Sequence, residues 1–236
     1  MIRGDSGGKS STMKSGLTNL APDLWIATRQ FTNELGDVTS RMTVIRLKDQ
    51  RVLIHSPVPI EPELQSAVEI LGQPAALIAP NLFHHQFIPE WRSAFPEAKA
   101  FCTPGLETKR SDIKFDGALE DVSAPEWQGQ VDQLLIRGVP SYGEMVFFHR
   151  LSRTLVVSDI VFNYSPAQAA SDPGAAEGLG PHDRIKAAIN DRNALRDSIE
   201  NVLRWPFERV IVAHGQIVES EGNARFREGF AFLRRR

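Results

Sequence analysis

The chain reads as a layered α/β fold, two β-sheets with helices packed outside them, and three features of its sequence predict this. Four short apolar runs, Arg51-Val-Leu-Ile-His55, Ala75-Ala-Leu-Ile-Ala79, Arg153-Thr-Leu-Val-Val-Ser-Asp159 and Arg209-Val-Ile-Val-Ala-His214, have the Val/Ile/Leu content and length of buried strands. Apolar residues at helical spacing follow some of them, as at Leu64, Ala67, Val68 and Leu71. The order along the chain is strands, then strand-helix units, then strands again, then helix-strand-helix. That order implies two sheets with outer helices.

Taken in order, residues 24–29, 41–47 and 52–54 are strand-like, with turns at 33–37 and 49–50. Residues 61–71 form a helix with Pro62 near its start. A strand over 75–79, a short helix closed by Pro96 and a strand over 99–102 follow. The pattern weakens over 109–131, which reads as loop with short strands. Residues 132–137, 144–149 and 154–157 read as consecutive strands of a second sheet. The Ala/Ser/Pro/Gly-rich stretch 165–180 is a lid or an unstructured loop. Residues 183–203 give the longest helical pattern, 209–213 the last strand and 224–233 the closing helix. Residues 1–20 read as a leader without regular structure, and 21–236 as one domain.

Composition narrows the partners. A formal net charge of -2 over 236 residues gives no argument for nucleic acid or an anionic membrane surface. Cys102 is the only cysteine, so neither an intrachain disulfide nor a thiolate cluster is available. No run reaches the roughly 18 apolar residues of a membrane span. The first 15 residues lack a signal-peptide core, so a cytoplasmic location is expected. Gly4-Asp-Ser-Gly-Gly8-Lys9-Ser10 looks like a phosphate-binding loop, but its spacing is one residue short and no strand precedes it.

The four strand runs share a second property. Each ends on, or is soon followed by, a residue that can bind a metal or move a proton: His55, His84-His85, Asp159 and His214. In layered α/β proteins ligands gather outside the carboxyl ends of strands, so one pocket can collect all five.

In motif order this set resembles the metallo-β-lactamase superfamily, in degenerate form. That family carries His-x-His-x-Asp-His after one strand, then a middle His, a Ser/Gly-Asp strand end and a terminal His-Gly. Pro80-Asn-Leu-Phe-His84-His85 takes the place of the first motif, with Pro80 and Leu82 at the two leading His positions. The segment from Val139 to Phe148 resembles the one carrying the middle His but holds no His. Ser158-Asp159 and His214-Gly215 match the last two, and His55 stands where the family has an early Asp.

The resemblance implies a four-layer αββα sandwich with one of the two family metal sites emptied. The other would be built from His84, His85, Asp159 and His214, holding one Zn²⁺ or Fe²⁺. With three ligands bound, a water at the fourth position would become acidic and attack a small ester, thioester, amide or phosphoester. With four bound, the ion would be structural and the protein a non-catalytic relative. His84 is either a ligand or the proton acceptor beside that water. Glu144 is a candidate general base or replacement ligand, or else a solvated strand carboxylate. His55 orients a ligand from behind or bonds a backbone carbonyl. His149 and His182 read as surface residues, and Phe83, Phe87, Trp91 and Phe95 as core.

Overall fold

The computed structural model describes residues 16–33 and 36–234. The first half runs β1 (Thr18–Ala21), β2 (Leu24–Asn33), β3 (Gly36–Arg46), β4 (Val52–His55), α1 (Pro62–Leu71), β5 (Pro74–Ala79), α2 (Ile88–Ala94), β6 (Lys99–Cys102), α3 (Leu106–Lys109) and β7 (Gly117–Ala118). Its seven strands form one sheet in sequence order. They are antiparallel through β4, where hairpins join them, and parallel from β4 to β7, where α1 and α2 supply crossovers.

The second half runs β8 (Val131–Leu135), β9 (Met145–His149), β10 (Thr154–Val156), β11 (Phe162–Tyr164), α4 (Pro166–Ser171), β12 (Gly178–Gly180), α5 (Asp183–Ala187), α6 (Arg192–Val202), β13 (Arg209–Ile211) and α7 (Gly222–Gly229). Here the sheet order is β13-β10-β9-β8, with β11 and β12 paired separately.

Alternation along the strands builds the layers. Leu53, Ile78, Phe147, Val156 and Ile211 pack together between the two sheets. Their strand neighbours Val52, Ile54 and Leu77 face outward onto Leu64, Val68 and Trp91 of the helices. On the other side Phe148, Leu155 and Val210 meet Leu195, Ile199 and Phe226. Side chains two residues apart share a face, so each sheet buries both of its faces. The result is the αββα sandwich.

Three expectations change. Residues 18–20, expected in the leader, lie in β1, which pairs with β2, and Leu17 is buried. The Gly4–Ser10 segment lies outside the described residues. The long helix of 183–203 is two helices, because Asp191 accepts the N–H of Asn193 and Ala194, both at 2.9 Å, and so starts α6 afresh. The Gly138 carbonyl takes the N–H of Asn190 and Asp191 at that break. A side chain at Gly138 would lie 2.2 Å from the Asp191 carbonyl oxygen. Stretch 165–180, finally, is folded. Ser165 and Gln168 form a capping box on α4, and β12 pairs with β11. Among the described residues no helix is long and apolar enough to cross a membrane.

Candidate metal centre

Three of the predicted strand ends converge. His84 follows β5 in a turn, Asp159 follows β10, and His214 follows β13. One donor atom from each lies within 4.8 Å of the others, and among the described residues this is the one group of three or more His, Cys, Asp or Glu so placed. Asp159 Oδ1 is 3.2 Å from His84 Nε2 and 3.2 Å from His214 Nε2.

Each imidazole is fixed from behind. The Thr39 carbonyl lies 2.7 Å from His214 Nδ1, and a carbonyl only accepts, so Nδ1 carries the proton. His84 Nδ1 lies 2.7 Å from Ser56 Oγ. Neutral His214 therefore presents a bare Nε2 lone pair to a carboxylate oxygen at 3.2 Å, two acceptors facing one another. That arrangement needs a positive charge in the middle, either a second proton on the ring or a cation. Burial pulls His214 down, but the hydrogen bond and charge of Asp159, with Thr39 behind, carry it above its ordinary value. Asp159 is held well below the usual carboxylate range: burial opposes this, but His84 and His214 outweigh it. Two imidazoles and one carboxylate around a shared point fit a borderline divalent ion such as Zn²⁺ or Fe²⁺.

Backbone shape explains why these residues meet. Ser56 has φ 53°, a left-handed conformation uncommon for a non-glycine residue, and this places its hydroxyl under His84. Gly215 has φ 94°, and a Cβ there would sit 2.3 Å from the Asn163 carbonyl, so the His-Gly pair is a packing requirement. The Arg41 guanidinium donates to the carbonyls of Val212 and Gly215, clamping the His214 turn to β3. Phe162 stacks on the His214 ring, centroids 5.4 Å apart.

His85 is outside the cluster. Its neighbour's N–H is taken by Asn81, and the turn sends the His85 ring the other way, to Arg110 NH1 at 2.9 Å. Burial and then the Arg110 and Lys109 cations lower it to about 4. Of the four expected ligands, three therefore converge.

Glu144 is not a solvated strand carboxylate, and it is not among the residues lining the cleft beside the cluster. It is 1 % exposed and accepts the N–H of Ser158 (2.8 Å), Asp159 (2.7 Å) and Ile160 (2.9 Å). Burial and the Asp159 carboxylate push it up to about 8, against the pull of those N–H groups. Between the two acids sits Asn81, fully buried, which the sequence reading missed. An Asn two and three residues before the N–H groups it accepts is an Asx-turn signal, and it was available in Pro80-Asn81.

His55 makes no hydrogen bond to His84, Asp159 or His214; the adjacent Ser56 reaches His84 instead. The His55 ring lies edge-on to Phe147 at 5.2 Å, and among the described residues neither nitrogen has a partner. Burial, then the His84 charge, lower it to about 3. His149 is buried too, with Nδ1 2.7 Å from Ser152 Oγ, and burial lowers it to about 4. His182 is likewise buried, beside Asp172 at 3.3 Å. The aromatic set divides: Trp91 and Phe95 are core, whereas Phe83 is 42 % exposed.

A pH dependence follows. The fold accepts His55 and His149 only as neutral rings, while the unfolded chain protonates them near 6.5. Their contribution is intact above that value and is lost as pH falls toward about 4, each ring by up to about 1.4 kcal/mol per pH unit. Urea unfolding at pH 7, 6 and 5 should show the midpoint dropping steeply, and a flat profile would contradict the neutral assignment.

The three donors border a cleft of about 820 Å³. Arg41 and Arg184 line it, as do Phe31, Phe83, Tyr142 and Phe162. Phe31–Phe87 and Phe83–Tyr142 ring pairs form an aromatic wall.

The model of a family described as a domain of unknown function, DUF4336, matches residues 33–172. None of the curated proteins matches the chain. Among solved structures, a metallo-β-lactamase from Pontibacter korlensis is 12 % identical with TM-score 0.66, covering 93 % of this chain and 99 % of that one. The metallo-β-lactamase from Hirschia baltica is 13 % identical with TM-score 0.64, covering 92 % and 96 %. The metallo-β-lactamase FIM-1 from Pseudomonas aeruginosa, in its mono-zinc form, is 12 % identical with TM-score 0.65, covering 92 % and 93 %. At such identities the likeness speaks to the fold, and it places the αββα sandwich with the metallo-β-lactamases.

Proposed function

The chain belongs to the DUF4336 family and has the metallo-β-lactamase fold, and from that premise we propose that it is a hydrolase dependent on one metal ion. The ion would be held by His84 Nε2, Asp159 Oδ1 and His214 Nε2. The observation that carries this reading is the donor count: with His85 turned to Arg110, three protein atoms converge at the wall of a cleft. Three donors leave a four-coordinate ion one position for water or substrate, the arrangement of catalytic rather than structural sites.

A divalent ion bound there supplies Lewis acidity, polarising a substrate oxygen and acidifying water. The chain's own groups do the rest. Ser56 and the Thr39 carbonyl hold both rings so that their Nε2 atoms stay aimed at one point. Arg41 lends positive charge beside His214 and favours a substrate with an anionic group. The aromatic wall takes an apolar part of the molecule. A small ester, thioester, amide or phosphoester fits such a cleft. Zinc is the first choice and iron the second, because the donor set suits both.

Elemental analysis of protein purified without added metal should find close to one ion per chain. Stripping it with a chelator should lower the melting temperature by roughly 5–10 °C relative to protein saturated at a hundred times the dissociation constant. It should also remove turnover of small test esters and phosphoesters. Two ions per chain would overturn the one-site reading, and a chelator effect on stability without any effect on turnover would make the ion structural.

A further inference from the structure

The His84 turn and Asp159 come from different sheets, yet one buried amide touches both. Asn81 Oδ1 accepts the N–H of Phe83 at 2.9 Å and of His84 at 2.8 Å. Backbone N–H groups only donate, so the amide orientation is fixed and its NH₂ must face the other way. There it meets two carboxylates: Asp159 Oδ2 at 2.7 Å and Glu144 Oε2 at 3.3 Å.

Asp159 is thereby divided. Its Oδ2 is spent on Asn81, and its Oδ1 alone faces the two Nε2 atoms. A carboxylate that chelated an ion through both oxygens would have to turn Oδ2 away from Asn81. The amide is fully buried, so its N–H would then lack a partner and water could not replace it. Glu144 blocks the alternative of moving the backbone, because its oxygens hold the N–H groups of residues 158–160.

We propose that Asn81 is the positioning residue of this centre: it ties Asp159 to one-oxygen ligation and couples that carboxylate to His84, keeping a coordination position open to the cleft. The inference rests on the three-donor site proposed above. Asn81 touches no substrate and acts through Asp159.

Cobalt(II) is a suitable probe, because four-coordinate cobalt absorbs visible light more strongly than five- or six-coordinate cobalt. Asn81→Ser keeps a side-chain oxygen able to cap the Phe83 and His84 N–H groups in an ST-turn, while its shorter side chain leaves Asp159 Oδ2 without the amide donor. Asn81→Ala loses both. Titrating the full chain with Co²⁺, we expect both variants to bind about 10–100-fold more weakly than the natural protein. At saturation their visible band should be weaker, as Asp159 relaxes toward two-oxygen ligation. An Asn81→Ser protein with unchanged affinity and spectrum, beside an impaired Asn81→Ala, would make Asn81 a turn cap and overturn the proposal. Unchanged behaviour of both would overturn it as well. Failure of the natural protein to take up cobalt would instead sink the three-donor site, and this inference with it.

Discussion

Asp159→Ala should leave a folded protein that retains no stoichiometric metal, with affinity reduced by well over the roughly 100-fold that loss of a supporting residue costs. The carboxylate is the one anionic donor, and both imidazoles are aimed at its Oδ1 at 3.2 Å. Without it, two imidazoles remain around a point that Arg41 already makes more positive. His214→Ala should be nearly as severe, since it removes a donor and leaves the Thr39 carbonyl without its bond. The fold should tolerate both changes. Asp159→Ala strands the Asn81 amide, at a cost of about 1–3 kcal/mol, but removes a repulsion with Glu144. Metal content by elemental analysis and unfolding midpoints of the stripped proteins separate the two effects. Metal retention near one equivalent by Asp159→Ala would refute the proposed ligand set. His85→Asn, by contrast, should keep its metal.

The strand runs were legible because period-two alternation and Pro/Gly boundaries are local signals, and β4, β5, β10 and β13 lie where those runs fall. Asp159 and His214 were legible as strand ends, the latter because Gly215 marks the turn that turns the ring inward. What could not be read was the direction of a side chain inside a turn. His84 and His85 are adjacent in a turn, and only the tertiary partner, Asn81 for one and Arg110 for the other, decides which enters the site. Ser56 was invisible for a similar reason: its left-handed backbone has no sequence signal in His55-Ser56-Pro57. Burial of Glu144 depended on three N–H groups from the loop after β10, a tertiary fact. The split of the 183–203 helix was partly readable, since Asn190-Asp191 is a cap signal inside a continuous apolar pattern.

Glu144→Ala should be the most destabilising single change near the centre, by about 3–5 kcal/mol in metal-free protein. The reason is bookkeeping of donors. The N–H groups of Ser158, Asp159 and Ile160 all end on this carboxylate, at 2.7–2.9 Å, in a place water does not reach. Removing the acceptor strands three buried donors together and frees the loop that carries Asp159. Glu144→Gln keeps one accepting oxygen and loses the repulsion with Asp159, so its loss should be smaller, about 1–2 kcal/mol. A general base predicts the reverse ranking of symptoms: Glu144→Gln would keep full stability and lose turnover. Urea unfolding of the two variants, with and without added zinc, distinguishes these roles. An alanine variant within about 1 kcal/mol of the natural protein would show that the three donors find other partners, and the scaffold role would fail. If the loss is as large as expected, Glu144 holds the loop from beneath while Asn81 holds the side chain from the flank. Asp159 would then enter the site already set in place, so that binding an ion orders little more of the chain.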